Sequence, residues 1–193
     1  MTSPASVGGD ERLRLFLGLR PPDDALDLVE AWQRDHLARM RVVPREHLHV
    51  TLAFLGHRPA GELPGIVGAL RAAAGAVERE LRLTPVQYRE SRSVAMLVCE
   101  DEGGRASLLA ADLQERLEAL GVYRQEDRPW LPHLTVGRFR QRPGLRLAPP
   151  GEGTYVLIPS DASAYLSRLR PGGAQYEVLD SVALDRKRPA GGR

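Results

Sequence analysis

The order of elements in this chain predicts an α+β fold, with antiparallel sheets and helices on the outer face of each. Two observations carry that expectation. Period-2 and helical apolar patterns interleave along the sequence, and several strand-like runs follow one another as hairpin neighbours. The chain's 193 residues, 42% hydrophobic and 27% charged, suffice for the core of one domain or two small lobes.

Leucines at 13, 15, 17 and 19 alternate with Arg14, Phe16 and Gly18, which predicts a first strand. Pro21-Pro22-Asp23-Asp24 supplies helix-start chemistry, acidic side chains at the positive end of the dipole. Ala25, Leu28, Val29 and Trp32 follow at helical spacing, with the pattern running on toward Met40. Arg41–Val43 and Leu48–Leu55 read as strands broken by Pro44. A second helix is expected over Glu62–Glu80, although Gly65, Gly68 and Gly75 each weaken it by ~1 kcal/mol relative to Ala. Leu81–Tyr88 and Val94–Cys99 read as strands, the latter apolar on both faces and so central.

A third helix over Arg105–Leu120 places Leu109, Leu113, Leu117 and Leu120 on one face and stops at Gly121. Leu134–Phe139 predicts another strand, and the proline- and glycine-rich stretch Gln141–Gly153 a surface loop. Thr154–Ile158, Ser163–Arg168 and Tyr176–Leu184 are expected as closing strands. Residues 1–10 read as a loose tail and 186–193 as a basic one.

Composition excludes several classes. No apolar run approaches the ~18 residues of a membrane helix. The polar stretch Met1–Arg12 lacks a signal peptide's apolar segment, so a cytoplasmic location is expected. Cys99 is the only cysteine, which excludes an intrachain disulfide and a cysteine zinc cage. A net charge of +2 is no nucleic-acid coat, and 5% aromatics give no extended stacking platform. Lys187 is the only lysine; the bias to Arg fits a GC-rich genome, while Arg forks also suit phosphate oxygens. A small phosphate-bearing site stays compatible with all of this.

One feature repeats. His49-Val50-Thr51-Leu52 and His133-Leu134-Thr135-Val136 share the form His, aliphatic, Thr, aliphatic. Five His and five Thr in 193 residues would give about 0.13 His-x-Thr pairs by chance. Residues i and i+2 of a strand share a face, so each run presents an imidazole beside a hydroxyl, backed by buried aliphatics. Two such strands facing one another offer a neutral imidazole to accept a proton and a charged one to donate it. The threonine hydroxyls can donate to the non-bridging oxygens of an anionic centre. That suits phosphoryl chemistry without a metal.

These paired motifs resemble the two-histidine phosphoesterase superfamily, and in it the bacterial and archaeal RNA 2′,3′-cyclic phosphodiesterase (2′-5′ RNA ligase) family. Arg14–Leu19 looks like the family's opening strand, and Val43-Pro44 through His49–Gly56 its first motif block. Arg128-Pro129-Trp130-Leu131-Pro132 with His133–Arg138 resembles the second block, and Ser167–Leu169 with Gly172–Tyr176 the C-terminal one.

The resemblance implies a single bilobal domain over 11–185, with two antiparallel sheets, a pseudo-two-fold axis and both motifs lining a central cleft. It implies hydrolysis of an RNA 2′,3′-cyclic phosphate end to a 2′-phosphate without a cofactor, and leaves open 2′-5′ ligation in reverse. RNA ends or small cyclic nucleotides are the implied substrates; no membrane or protein partner is implied. His133 is assigned as base and His49 as acid, with Thr51, Thr135 and Arg138 on the phosphate and Phe54, Trp130 and His47 as pocket wall. Strict alternation from His133 puts Arg138 on the opposite face, so either the strand bulges there or Arg138 is structural. Trp130 stands where the family often has Phe.

Two rival readings stay open. His47-x-His49 is also metal-ligand spacing, and with His133 it would make a metallohydrolase, though that leaves both threonines unexplained. A non-catalytic RNA-end binding module is the other, although a binder has no need of two titratable imidazoles. His57, following Gly56 in a turn, and His36, on a charged helix stretch, read as solvated; Cys99 reads as an inert core thiol and Gly172-Gly173 as a turn, and Arg140, Arg142 and Arg146 are either solvated or guides for RNA.

Overall fold

The computed structural model describes residues 11–170 and 173–184; the tails expected at 1–10 and 186–193, and Gly172, lie outside that range. The strands are β1 (Arg12–Arg20), β2 (Arg41–Val42), β3 (Val50–Pro59), β4 (Leu83–Ser91), β5 (Val94–Asp101), β6 (His133–Arg138), β7 (Asp161–Arg170) and β8 (Gly173–Ala183). The helices are α1 (Asp23–His36), α2 (Leu63–Gly75) and α3 (Arg105–Ala119). Strand order is β4-β5-β6-β3-β1-β7-β8, with β2 on the far edge of β6, and every named pairing is antiparallel.

The two expected sheets are therefore halves of one eight-stranded sheet. β4, β5, β6 and β2 form one lobe and β3, β1, β7 and β8 the other, joined by the single pair Val50↔Leu134. Helices cross between lobes. α1 leaves β1 yet covers the other half, where Trp32 packs 5.8 Å from Tyr88 between ring centroids. α2 lies on β7 and β8, and α3 on α2 and β3. One apolar cluster runs through both lobes, from Leu15, Leu17 and Leu19 of β1 to Leu97 of β5 and Leu134 of β6.

Local chemistry sets the element ends. Asp101 begins α3 by accepting from the Ser107 N–H and hydroxyl, both 2.7 Å away, and Gly121 ends it in the left-handed region at φ 69°. α2 stops at Gly75, short of the expected Glu80, where the Ala76 N–H closes on the Ala72 and Ala73 carbonyls.

The strand expected at Thr154–Ile158 is a single bridge, Leu83↔Leu157, made by two hydrogen bonds of 2.9 and 2.7 Å. Extending it would pair Pro85 with Tyr155 in one direction and Pro159 with Leu81 in the other. Each proline lacks the N–H that the ladder requires, so pairing ends at one bridge.

The loop after β6 is tied down by a buried carboxylate. Glu90 accepts from the Gly144 and Leu145 N–H groups, the Tyr88 hydroxyl and Arg142. Burial would raise its pKa, but those donors hold it below the ordinary value. Arg142 is thus engaged in holding its own loop. His57, expected in a turn, is an exposed residue within β3, opposite Arg14. Burial pushes the Cys99 thiol up to about 12. No described helix is long and apolar enough to cross a membrane.

Candidate active site

The pair Val50↔Leu134 is the pivot of the site. Because β3 and β6 run antiparallel through it, His49 lies toward Thr135 and Thr51 toward His133. Val50 and Leu134 are fully buried while the two His and two Thr are part-exposed, so the four polar side chains share the cleft face.

Both imidazoles are held in the same way. Nδ1 of His49 lies 2.7 Å from the His47 carbonyl, and Nδ1 of His133 lies 2.8 Å from the Leu131 carbonyl. A carbonyl only accepts, so Nδ1 carries the proton and Nε2 keeps its lone pair in the neutral ring.

His49 is the more enclosed of the two. Its ring sits 4.6 Å from Phe16, 5.5 Å from Tyr176 and 5.9 Å from Tyr165 between centroids. Gly18 makes room for it, since a Cβ there would meet His49 Cδ2 at 3.3 Å and the Val50 carbonyl at 3.1 Å. Burial lowers the His49 pKa to about 4, against the His47 carbonyl bond that raises it; His133, His47 and Arg138 depress it further.

A bulge decides the question about Arg138. Thr135 pairs with Met96 and Gly137 with Ala95, so Val136 is an extra residue in β6. The insertion restores parity, and Arg138 lines the cleft beside His49, Thr51 and Thr135. β3 repeats the device: Thr51 pairs with Gly18 and Ala53 with Leu17, leaving Leu52 as the extra residue. Phe54 is therefore the counterpart of Arg138, three residues past its threonine, and is 50% exposed to the cleft. Arg14 lies over its face, the guanidinium carbon 4.7 Å from the centroid.

Two glutamines, which the sequence reading passed over, support these bulges. Gln114 of α3 donates to the Leu52 carbonyl at 2.9 Å, and Gln33 of α1 to the Val136 carbonyl at 2.7 Å and the Val43 carbonyl at 2.9 Å. They are only 7% and 3% exposed. Their sequence signal was an amide on the apolar face of an amphipathic helix, beside Leu113 and Leu117 in one case and Val29 and Trp32 in the other.

The cleft holds two pockets that share Thr51 and Phe54. The smaller, about 410 Å³, is lined by His49, Thr135, Arg138, Arg14, Arg41 and Tyr176, with His47 at its wall 4.6 Å from the Tyr176 ring. The larger, about 1000 Å³, is lined by His133, Trp130, Tyr123 and the β4–β5 hairpin. Trp130 is fixed as a wall by its indole N–H, which donates to the Thr51 carbonyl at 2.8 Å. His47, His49 and His133 do not form a ligand set; among the described residues no three His, Cys, Asp or Glu side chains are grouped to hold a metal ion. Arg14, Phe16, Arg41 and Tyr176 join the site from β1, β2 and β8, contacts that no local spacing announces.

The sequence pattern of the 2′-5′ RNA ligase superfamily matches residues 21–149. An RNA 2′,3′-cyclic phosphodiesterase of Thermus thermophilus is 32% identical over 89% of this chain and 90% of its own length. A protein of the same name from Escherichia coli is 28% identical over 90% of this chain and 98% of its own. Among solved structures, Escherichia coli LigT complexed with 3′-AMP superposes with a TM-score of 0.77 at 25% identity, over 91% of this chain and all of that one. A Thermus thermophilus structure does so at 0.74 and 28% identity, over 91% of this chain. Matched over most of its length in sequence and fold, and carrying a His-x-Thr pair on each side of one pseudo-two-fold pivot, this chain belongs to the 2′-5′ RNA ligase superfamily.

Proposed function

We propose that the protein is an RNA 2′,3′-cyclic phosphodiesterase that opens a cyclic phosphate end to a 2′-phosphate by acid–base catalysis between two histidines, without a metal ion. The names of its relatives support this reading. The observation that carries it is the pair of imidazoles, each tied through Nδ1 to a main-chain carbonyl and each with Nε2 left for chemistry.

His133 takes a proton from water as the water oxygen bonds to phosphorus. The bond to O3′ breaks, and His49 passes its proton to that oxygen. Thr51 and Thr135 donate to the non-bridging oxygens, and Arg138 balances the charge that builds there. Burial lowers the His49 pKa to about 4, which favours the neutral ring near pH 7. As the acid His49 depends on the bound phosphate, whose negative charge offsets Arg138 and draws a proton onto the ring. Cytoplasmic RNA ends are the proposed substrate pool.

The test is incubation with an oligoribonucleotide ending in a 2′,3′-cyclic phosphate, in EDTA, with the product end mapped. A 2′-phosphate product is expected, and His49→Ala and His133→Ala should each lose ~10²–10⁴-fold in rate. A 3′-phosphate product would reverse the leaving oxygen. Activity restored only by added metal, or binding without turnover, would overturn the mechanism.

A further inference from the structure

The larger pocket extends well past the His-x-Thr pairs, and its far wall is the β4–β5 hairpin. Arg89 of β4 pairs with Met96 of β5, which pairs with Thr135 of β6. One row across three strands thus leads from the phosphate-facing threonine to an exposed arginine, two strand spacings or about 10 Å away. Beside it runs a second row, Arg138–Val94–Ser91, and Arg92 caps the hairpin. Arg89, Ser91, Arg92, Ser93, Val94 and Met96 all line the pocket.

Two observations mark this wall as a binding surface. Most ion pairs of the described residues lie on exposed surface, as Arg45 with Asp27 and Arg82 with Glu102 do, yet Arg89 and Arg92 take part in none. The carboxylate on this pocket's lining, Glu126, is paired with Arg128 at 2.6 Å. Second, Arg92 holds φ at 52°, the left-handed region that hairpin turns usually give to Gly or Asn. A long cationic side chain stands where the backbone favours glycine, on the rim of a cleft.

Building on the phosphodiesterase reading, we infer that the β4–β5 hairpin binds the RNA strand leading to the cyclic end, with Arg89 and Arg92 on the backbone phosphates nearest the terminal one. Met96 and Val94 form an apolar floor between those arginines and the catalytic row, suited to a ribose or base face. The substrate class is then an oligoribonucleotide in preference to a mononucleoside cyclic phosphate, which reaches only the His-x-Thr pairs.

The experiment measures affinity for a trinucleotide ending in a 2′-phosphate and for a nucleoside 2′-phosphate, with rates on the matching cyclic phosphates alongside. The wild-type protein should bind the trinucleotide more tightly. Arg89→Gln and Arg92→Gly should each weaken that binding about tenfold and reduce its salt slope by about 0.7, the value for one single-strand phosphate contact. Nucleoside 2′-phosphate binding should change less than twofold. Arg92→Gly removes the positive-φ strain, so a folding defect does not confuse the result. Equal affinity for the two ligands in the wild type, or equal losses on both in the variants, would overturn the inference. If neither cyclic phosphate turns over, the phosphodiesterase reading fails by itself, while the binding data still decide for or against the groove.

Discussion

Gln33 and Gln114 stand behind the two motifs in equivalent places, each bonding the carbonyl of the residue that follows a cleft threonine. Those carbonyls belong to the bulged residues Val136 and Leu52, and the bulges are what turn Arg138 and Phe54 toward the cleft. Gln114→Leu keeps the packing volume but leaves the Leu52 carbonyl unpaired in the interior, which costs ~1–3 kcal/mol. We expect a lower melting temperature and a drop in kcat/KM, with Gln114→Glu unable to restore either because a carboxylate cannot donate. A stable variant with unchanged kcat/KM would show that the bulge holds without the amide.

At the scale of elements, the helices offer the simplest test. Gly68 lies on the exposed face of α2, has ordinary φ, and a Cβ built on it meets nothing within 4 Å. Gly68→Ala should therefore stabilise by up to ~1 kcal/mol, a melting shift of roughly 2–4 °C for a chain of this size. An unchanged or lower melting temperature would mean that α2 is held by packing alone.

Legibility followed the same division. The apolar periods of β1, α1 and α3 and the two His-x-Thr pairs were readable, because each depends only on residues a few places apart. The facing of Arg138 was not, because a one-residue bulge in β6 reverses parity without changing composition. Thr154–Ile158 misled for a related reason: its own residues favour a strand, but Pro85 on the partner and Pro159 beside it deny the hydrogen bonds. Phe16, Arg41 and Tyr176 reach the site through pairings far apart in sequence, and no window along the chain contains them together.

For the whole molecule, a net charge of +2 conceals a sorted distribution. Arg14, Arg138 and the imidazoles of His47 and His49 line the smaller pocket, and among its described lining residues there is no carboxylate. Such a cleft is incomplete without an anion, and His49 carries the consequence. Its pKa falls from 6.5 to about 4 in the folded protein, chiefly through burial. Between those values the unfolded chain binds a proton that the native state does not, so this residue's share of stability is present above pH 6.5 and is lost as pH falls toward 4. At 1.36 kcal/mol per pH unit the loss is at most roughly 3 kcal/mol, less in practice because His49 is only part-buried.

An anion in the pocket reverses the balance, because it favours the charged ring. Sulfate keeps the same charge throughout this range, so its stabilising effect, read as a melting shift at constant ionic strength, should grow as pH falls from 7.5 to 5. In His49→Asn both the acid sensitivity and the growth of the sulfate effect should diminish. A sulfate shift of equal size at both pH values in the wild-type protein would mean that no imidazole of the cleft takes up a proton with the anion, and the assignment of His49 as the acid would fall.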